Sequence, residues 1–185
     1  SDAGPRYSLE SDAGHRVLVP LLRAGGERVD TLVLSHSDSD HIGGVTALAN
    51  AFPNAQIFAH ADIYSLINAE NLVAVAEGRE LTAWGSPVQV WQVAGHTENH
   101  LAYLLTLDNR LHIFCGDTLF RAGCGRVFTG TIETLFESFD RFAAGQLADQ
   151  LRQLAGIGAQ AMLQAALGQV QADQSADQGQ QAGYQ

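Results

Sequence analysis

This 185-residue chain has no lysine. All ten of its basic residues are arginine, against twenty Asp and Glu, for a net charge of −10. An acidic chain without a local basic patch offers no track for a nucleic-acid backbone and no grip on an anionic membrane. No apolar run approaches the roughly 20 residues of a membrane-spanning helix. No segment reads as a signal peptide. Only two cysteines occur, Cys115 and Cys124. Their spacing is neither a disulfide framework nor the paired CxxC of a structural zinc site. A reducing, cytoplasmic setting is therefore the expectation. Cys115 reads as a buried residue at a strand end. Cys124, between two glycines, reads as the more exposed of the two, either packing or walling a pocket. No histidine follows His112.

What is present divides into one domain over residues 1–155 and an Ala/Gln/Gly-rich tail over 156–185, partly helical and then disordered. Residues 17–24 read as a short helix. Thr31–Leu34 is β-branched and apolar, a buried strand. Ile42-Gly43-Gly44 reads as the start of a helix reaching about Ala51. Gln56–Ala59 reads as a strand, 62–68 as a helix, 78–84 as loop or strand and 88–93 as a strand. Residues 101–107 and 111–114 form a hairpin across Asp108-Asn109. The spacing of Phe136, Phe139, Phe142, Leu147, Leu151 and Leu154 predicts a helix over 133–154. Strands alternating with helices indicate an α/β layered domain.

The chemistry concentrates after the first strand, in Ser35-His36-Ser37-Asp38-Ser39-Asp40-His41. His36, Asp38 and Asp40 alternate, so an extended backbone sends them to one side. A turn at Asp40-His41 brings His41 in from another direction. Gly95-His96-Thr97 and Cys115-Gly116-Asp117-Thr118 add a His and an Asp in Gly-flanked turns. Imidazole and carboxylate converging from separate loops suit a divalent metal of zinc type, as a metal-dependent hydrolase uses. The alternative for the first loop is a solvated turn rich in Ser and Asp.

This pattern resembles the metallo-β-lactamase fold superfamily, whose first motif is HxHxDH. Gly95-His96-Thr97 resembles its second motif, and Cys115-Gly116-Asp117-Thr118-Leu119-Phe120 its bridging-aspartate motif. From about residue 94 to 139 the chain is especially similar to glyoxalase II, the hydroxyacylglutathione hydrolases: GHTxxH, then FCGDTLFxxGCGR, then Gly130-Thr131 before a helix. The first fifty residues, with DAGxRVLVPLLR and HSDSDH, look more like the lactamase-type domain of the bacterial DNA-uptake protein ComEC.

The resemblance implies an α/β fold, the αββα sandwich of that superfamily, incomplete at its N-terminal strands and C-terminal end. It implies one or two zinc ions, with iron or manganese as alternatives. His36, Asp38 and His96 would hold the first metal. Asp40 and His41 would serve the second, with Asp117 bridging. Cys124 and Arg126 match positions lining the glutathione pocket, and Arg suits a carboxylate bidentately. His100 reads equally as a residue behind the metal ligands, supporting them, or as a satisfied core histidine. His15, His60 and His112 have no motif context and read as structural or surface residues.

Two departures matter for the site. Asp38 stands where the family has His, which hardens the site. The family's later His for the second metal has no counterpart, so that site is expected to be weak or empty. The implied activity is hydrolysis of a thioester of the S-D-lactoylglutathione type by a metal-bound hydroxide, with Asp40 orienting the water. Alternatives are a phosphodiesterase or nuclease of ComEC type, a persulfide dioxygenase, and an incomplete inactive domain. The expected partner is a small glutathione thioester. A homodimer covering an exposed sheet edge is a further expectation.

Overall fold

The computed structural model describes residues 1–144, apart from Leu9, Trp84, Arg121 and Ala122. Expectations resting on Leu147, Leu151 and Leu154, and on the tail from 156, lie outside the described residues. The chain divides into two compact units: residues 1–92 with 99–116, and residues 93–98 with those from 117 onward.

The first unit opens on a short hairpin, β1 (Arg6–Ser8) and β2 (Ser11–Asp12), followed by a π-type turn over Gly14–Leu18 and helix α1 (Val19–Ala24). Its central sheet is parallel: β3 (Thr31–Val33), β4 (Gln56–Ala59) and β5 (Leu72–Ala74), in that order. Between β3 and β4 lie α2 (Ser39–Ile42) and α3 (Val45–Ala51). A 3-10 helix at Ala61–Ser65 follows β4. The second sheet is an antiparallel meander of β6 (Glu80–Ala83), β7 (Ser86–Gln92), β8 (Leu101–Leu107) and β9 (Arg110–Phe114).

Alternation along β3 builds two apolar layers. Leu32 and Leu34 pack with Ile57, Ala59, Val45 and Leu48 beneath α1 and α3. Val33 faces the other way, against the layer of Phe58, Val88, Val90, Tyr103 and Leu105. This unit is therefore layered helix, sheet, sheet. Tyr103, 1% exposed, donates its hydroxyl toward the carbonyls of Leu34 (2.9 Å) and Phe58 (3.1 Å). That bond ties β8 to the ends of β3 and β4, where the His36 loop begins.

The second unit carries helix α4 (Ile132–Ala143), capped by Thr131 and Thr134, each accepting from the other's backbone N–H. Its core is Cys124, Leu135 and Phe139, with Leu119, Val127, Ile132 and Phe136 against them.

The β8–β9 hairpin turns at Asp108 (φ 50°) and Asn109 (φ 60°), the two left-handed residues a two-residue hairpin turn requires. Three short strands escape sequence reading. β1 and β2 are polar and two or three residues long, and β5 is too short to show alternation. The helix expected from Ile42 is instead two, because the chain breaks at Gly43-Gly44. A Cβ on Gly44 would lie 2.3 Å from the Ala3 carbonyl oxygen and 2.5 Å from Gly14 N. Backbone packs on backbone there, and only glycine permits it. Asp40 and His41 thus sit on the single turn of α2 rather than in a loop turn. Where a helix over 62–68 is expected, the chain forms a 3-10 helix at Ala61–Ser65 and no α-helix. Among the described residues no helix is long and apolar enough to cross a membrane.

Candidate metal centre

Each unit builds a donor cluster. In the first unit, β3 delivers Ser35 and His36 to the C-terminal edge of the parallel sheet. Asp2 organises the donors there. Its backbone N–H bonds to the Val33 carbonyl (2.9 Å), and its carboxylate accepts the Ser35 N–H at 2.8 Å. Ser35 Oγ lies 3.0 and 3.1 Å from the two Asp2 oxygens and 2.9 Å from His36 Nδ1. A hydroxyl has one proton, and a carboxylate only accepts. Ser35 therefore donates to Asp2, and His36 donates its Nδ1 proton to Ser35. The other ring nitrogen, His36 Nε2, is left as a lone pair 3.4 Å from Asp38 Oδ2.

His41 repeats this wiring. Its Nδ1 faces Asp2 Oδ2 at 3.3 Å, and its Nε2 lies 3.8 Å from Asp40 Oδ2. Burial alone would raise the Asp2 pKa. The donors His41 and Ser35 outweigh it and hold that carboxyl below its ordinary value. Asp2 adopts φ 56°, a left-handed conformation that Asp tolerates better than most residues. His100, fully buried, stacks on His36 with ring centroids 4.4 Å apart. A Cβ on Gly116 would come within 2.5 Å of His100 Nε2 and Ser35 Oγ, so glycine at 116 lets this group close up.

In the second unit His96, 3% exposed, donates Nδ1–H to the Arg126 carbonyl at 2.5 Å. Its Nε2 lies 3.7 Å from Asp117 Oδ2. The Phe128 N–H bonds to the His96 carbonyl (2.8 Å), and the Phe128 ring packs 5.0 Å from the imidazole. Gly125 N–H bonds to the Asp117 carbonyl at 2.8 Å. A Cβ on Gly125 would lie 2.3 Å from that oxygen and 2.7 Å from His96 Nδ1. The Arg126 side chain is exposed. Cys124, expected to be the more exposed cysteine, is 7% exposed and packs with Leu135 and Phe139. The reason is apolar: its thiol fills space under α4, while Cys115 is only half-buried.

The donor chemistry fits a divalent metal. In each of the three imidazoles Nδ1 faces an acceptor and Nε2 faces a carboxylate, as metal-binding histidines with supporting partners do. The Nε2–carboxylate separations of 3.4, 3.8 and 3.7 Å exceed the about 2.7–3.2 Å of a hydrogen bond. Two donors each about 2.1 Å from one ion lie about 3.4 Å apart at tetrahedral angles. These spacings match the edges of a coordination shell better than ion pairs closed on themselves.

Of the residues named from the sequence, the structure gathers His36, Asp38, Asp40, His41 and His100 in the first unit. It gathers His96 and Asp117 in the second, with the Arg126 backbone. Sequence reading missed Asp2 and Ser35 as the residues that orient the imidazoles. The signal available was Asp2-Ala3-Gly4 itself, an Asp-x-Gly whose carboxylate reaches 33 residues down the chain.

A hydroxyacylglutathione hydrolase from Neisseria meningitidis serogroup A / serotype 4A is 43% identical over 109 residues, 59% of this chain and 42% of that protein. One from Prochlorococcus marinus is 37% identical over 128 residues, 67% of this chain and 50% of that one. The chain thus spans half or less of the length of these curated relatives. In fold it is similar to MEM-A1, a subclass B3 metallo-β-lactamase from a soil metagenome library, with TM-score 0.64 at 16% identity, over 97% of this chain and 86% of that one. The family model of the metallo-β-lactamase superfamily matches residues 2–159, and the chain belongs to that superfamily.

Proposed function

We propose that the chain is a metal-dependent thioesterase acting on 2-hydroxyacyl thioesters of glutathione, and that His36, Asp38, Asp40, His41, His96 and Asp117 are its metal donors. The observation that carries this reading is the repeated wiring of His36, His41 and His96, each with Nε2 held toward a carboxylate at 3.4–3.8 Å. The hydroxyacylglutathione hydrolase relatives supply the substrate class. Zinc, with iron or manganese as the alternatives, fits the mixed imidazole and carboxylate set.

A bound divalent metal would lower the pKa of water and polarise the thioester carbonyl. The chain's own residues do the rest. Asp2 and Ser35 hold His36 and His41 in the tautomer that presents Nε2. The Arg126 carbonyl does the same for His96. Asp40, its side chain 64% exposed, would orient the water or accept its proton. The Arg126 guanidinium, exposed, is available to a glutathione carboxylate. A thiolate leaves without strong acid assistance, so no further proton donor is required.

The test is metal content by plasma mass spectrometry, followed by release of glutathione from S-D-lactoylglutathione. The expected result is metal-dependent turnover that Asp117→Asn abolishes. Loaded protein with no thioesterase activity, or an Asp117→Asn variant equal to wild type, would refute the reading.

A further inference from the structure

A further imidazole–carboxylate pair lies in the first unit, outside the proposed donor set. His60 Nδ1 is 3.0 Å from Asp62 Oδ1, and the other Asp62 oxygen accepts from Asn99 Nδ2 at 3.4 Å. Asp62 is therefore held from two sides. Because a carboxylate only accepts, the 3.0 Å contact places the proton on His60 Nδ1. The Asp62 N–H also approaches Nδ1 at 3.4 Å, but this longer contact gives way, since one nitrogen cannot donate and accept at once. His60 Nε2 is then a lone-pair acceptor, bonded to none of the described residues, on a side chain 23% exposed.

Register places this acceptor. Val33 pairs with Phe58 across the parallel β3 and β4, and Leu34 N bonds to the Phe58 carbonyl. His60 continues β4 in extended conformation (φ −65°, ψ 150°). Two residues beyond Phe58, it leaves β4 at the same end of the sheet at which Ser35 leaves β3. Ser35 immediately precedes His36. On the same edge Leu101 N–H bonds to the Ser35 carbonyl at 2.8 Å, so Asn99 reaches Asp62 from the start of β8. Period-two alternation puts His60 on the face of Phe58, which turns toward the β8 sheet. The pair sits at the carboxyl ends of parallel strands, where open α/β sheets bind ligands.

We propose that His60, oriented by Asp62 and Asn99, is the specificity residue that accepts a hydrogen bond from the 2-hydroxyl of the acyl group. This rests on the thioesterase reading above. A fixed acceptor beside the His36 loop complements a donor next to the scissile carbonyl, and an acyl group without that hydroxyl leaves the acceptor facing nothing.

The test compares kcat/KM for S-D-lactoylglutathione and S-acetylglutathione on the metal-loaded chain. In His60→Ala the rate on the lactoyl substrate falls about tenfold more than the rate on the acetyl substrate, the worth of one hydrogen bond of about 1.4 kcal/mol. His60→Gln, which keeps an acceptor oxygen, returns part of the preference; a merely structural role would show no such split. Equal losses on both substrates would overturn the proposal and leave the thioesterase reading standing. Should the wild type cleave neither thioester, that reading falls, and an independent readout decides on His60. Its imidazole 15N resonances are expected to shift on titration with D-lactate and not with acetate. Equal shifts, or none, would refute the assignment.

Discussion

The two donor clusters solve one orientation problem by different means. In the first unit a side chain does it: the Asp2 carboxylate receives Ser35 and faces His41, and through Ser35 it sets His36. In the second unit the backbone does it: the Arg126 carbonyl receives His96 Nδ1. The first arrangement hangs two imidazoles on one replaceable group far away in sequence. The second cannot be removed by changing a side chain, because every residue has a carbonyl. The first cluster should therefore be the fragile one to mutation. In the second, the orientation of His96 should respond only to changes that move the 125–128 backbone.

The largest effect tests whether both clusters serve one reaction. His36→Ala in the first unit and Asp117→Asn in the second should each abolish thioester turnover. Each should reduce bound metal more than the about 10–100-fold loss that a supporting partner costs. A variant in one cluster that leaves full activity would confine the chemistry to the other.

Next in size is Asp2→Ala. It removes the acceptor facing His41 and leaves the Ser35 hydroxyl free to reverse its bond to His36. Metal affinity should fall about 10–100-fold, read by competition with a chelating dye. If affinity changes less than threefold, Asp2 is not the organising group.

Much of the proposed donor set is legible in the sequence alone. His36, Asp38, Asp40, His41, His96 and Asp117 can be named because short motifs with turn-forming neighbours carry their own geometry. The hairpin at Asp108-Asn109 is legible for the same reason, since two left-handed residues suit that turn. The hidden part acts at a distance or through the backbone. Asp2 meets Ser35 across 33 residues, and His60 gains its place only from the pairing of β3 with β4. Cys124 misleads because flanking glycines suggest exposure, whereas its thiol packs with Leu135 and Phe139. The break at Gly43-Gly44 is likewise invisible, because its cause is the Ala3 and Gly14 backbone packed against it.

A smaller effect perturbs the first cluster's scaffold without touching a donor. Tyr103→Phe removes the hydroxyl that bonds the Leu34 and Phe58 carbonyls, at a cost of about 1–2 kcal/mol in a denaturant melt. Burial raises the Tyr103 pKa well above its ordinary value, with the Asp2 charge adding to it. The sign follows from linkage: the folded chain keeps the proton that the unfolded chain releases near pH about 10. Tyr103's contribution is thus full below pH about 10 and declines above it. The stability gap between wild type and Tyr103→Phe should narrow over that range. A gap independent of pH would mean the hydroxyl is not held as described.

The smallest effect on the metal is expected from Arg126→Ala, and it separates the two kinds of anchor most sharply. The His96 bond uses the Arg126 carbonyl, which alanine retains, and the exposed guanidinium contributes nothing to that bond. Metal affinity should stay within about twofold of wild type, while the KM for a glutathione thioester rises several-fold through loss of a charged hydrogen bond. Gly125→Ala is the converse change: its Cβ would press on His96 Nδ1 and the Asp117 carbonyl, so metal binding should weaken although no side-chain donor is altered. Were Arg126→Ala to lose metal and Gly125→Ala to keep it, the backbone would not be what holds His96, and the contrast between the two clusters would collapse.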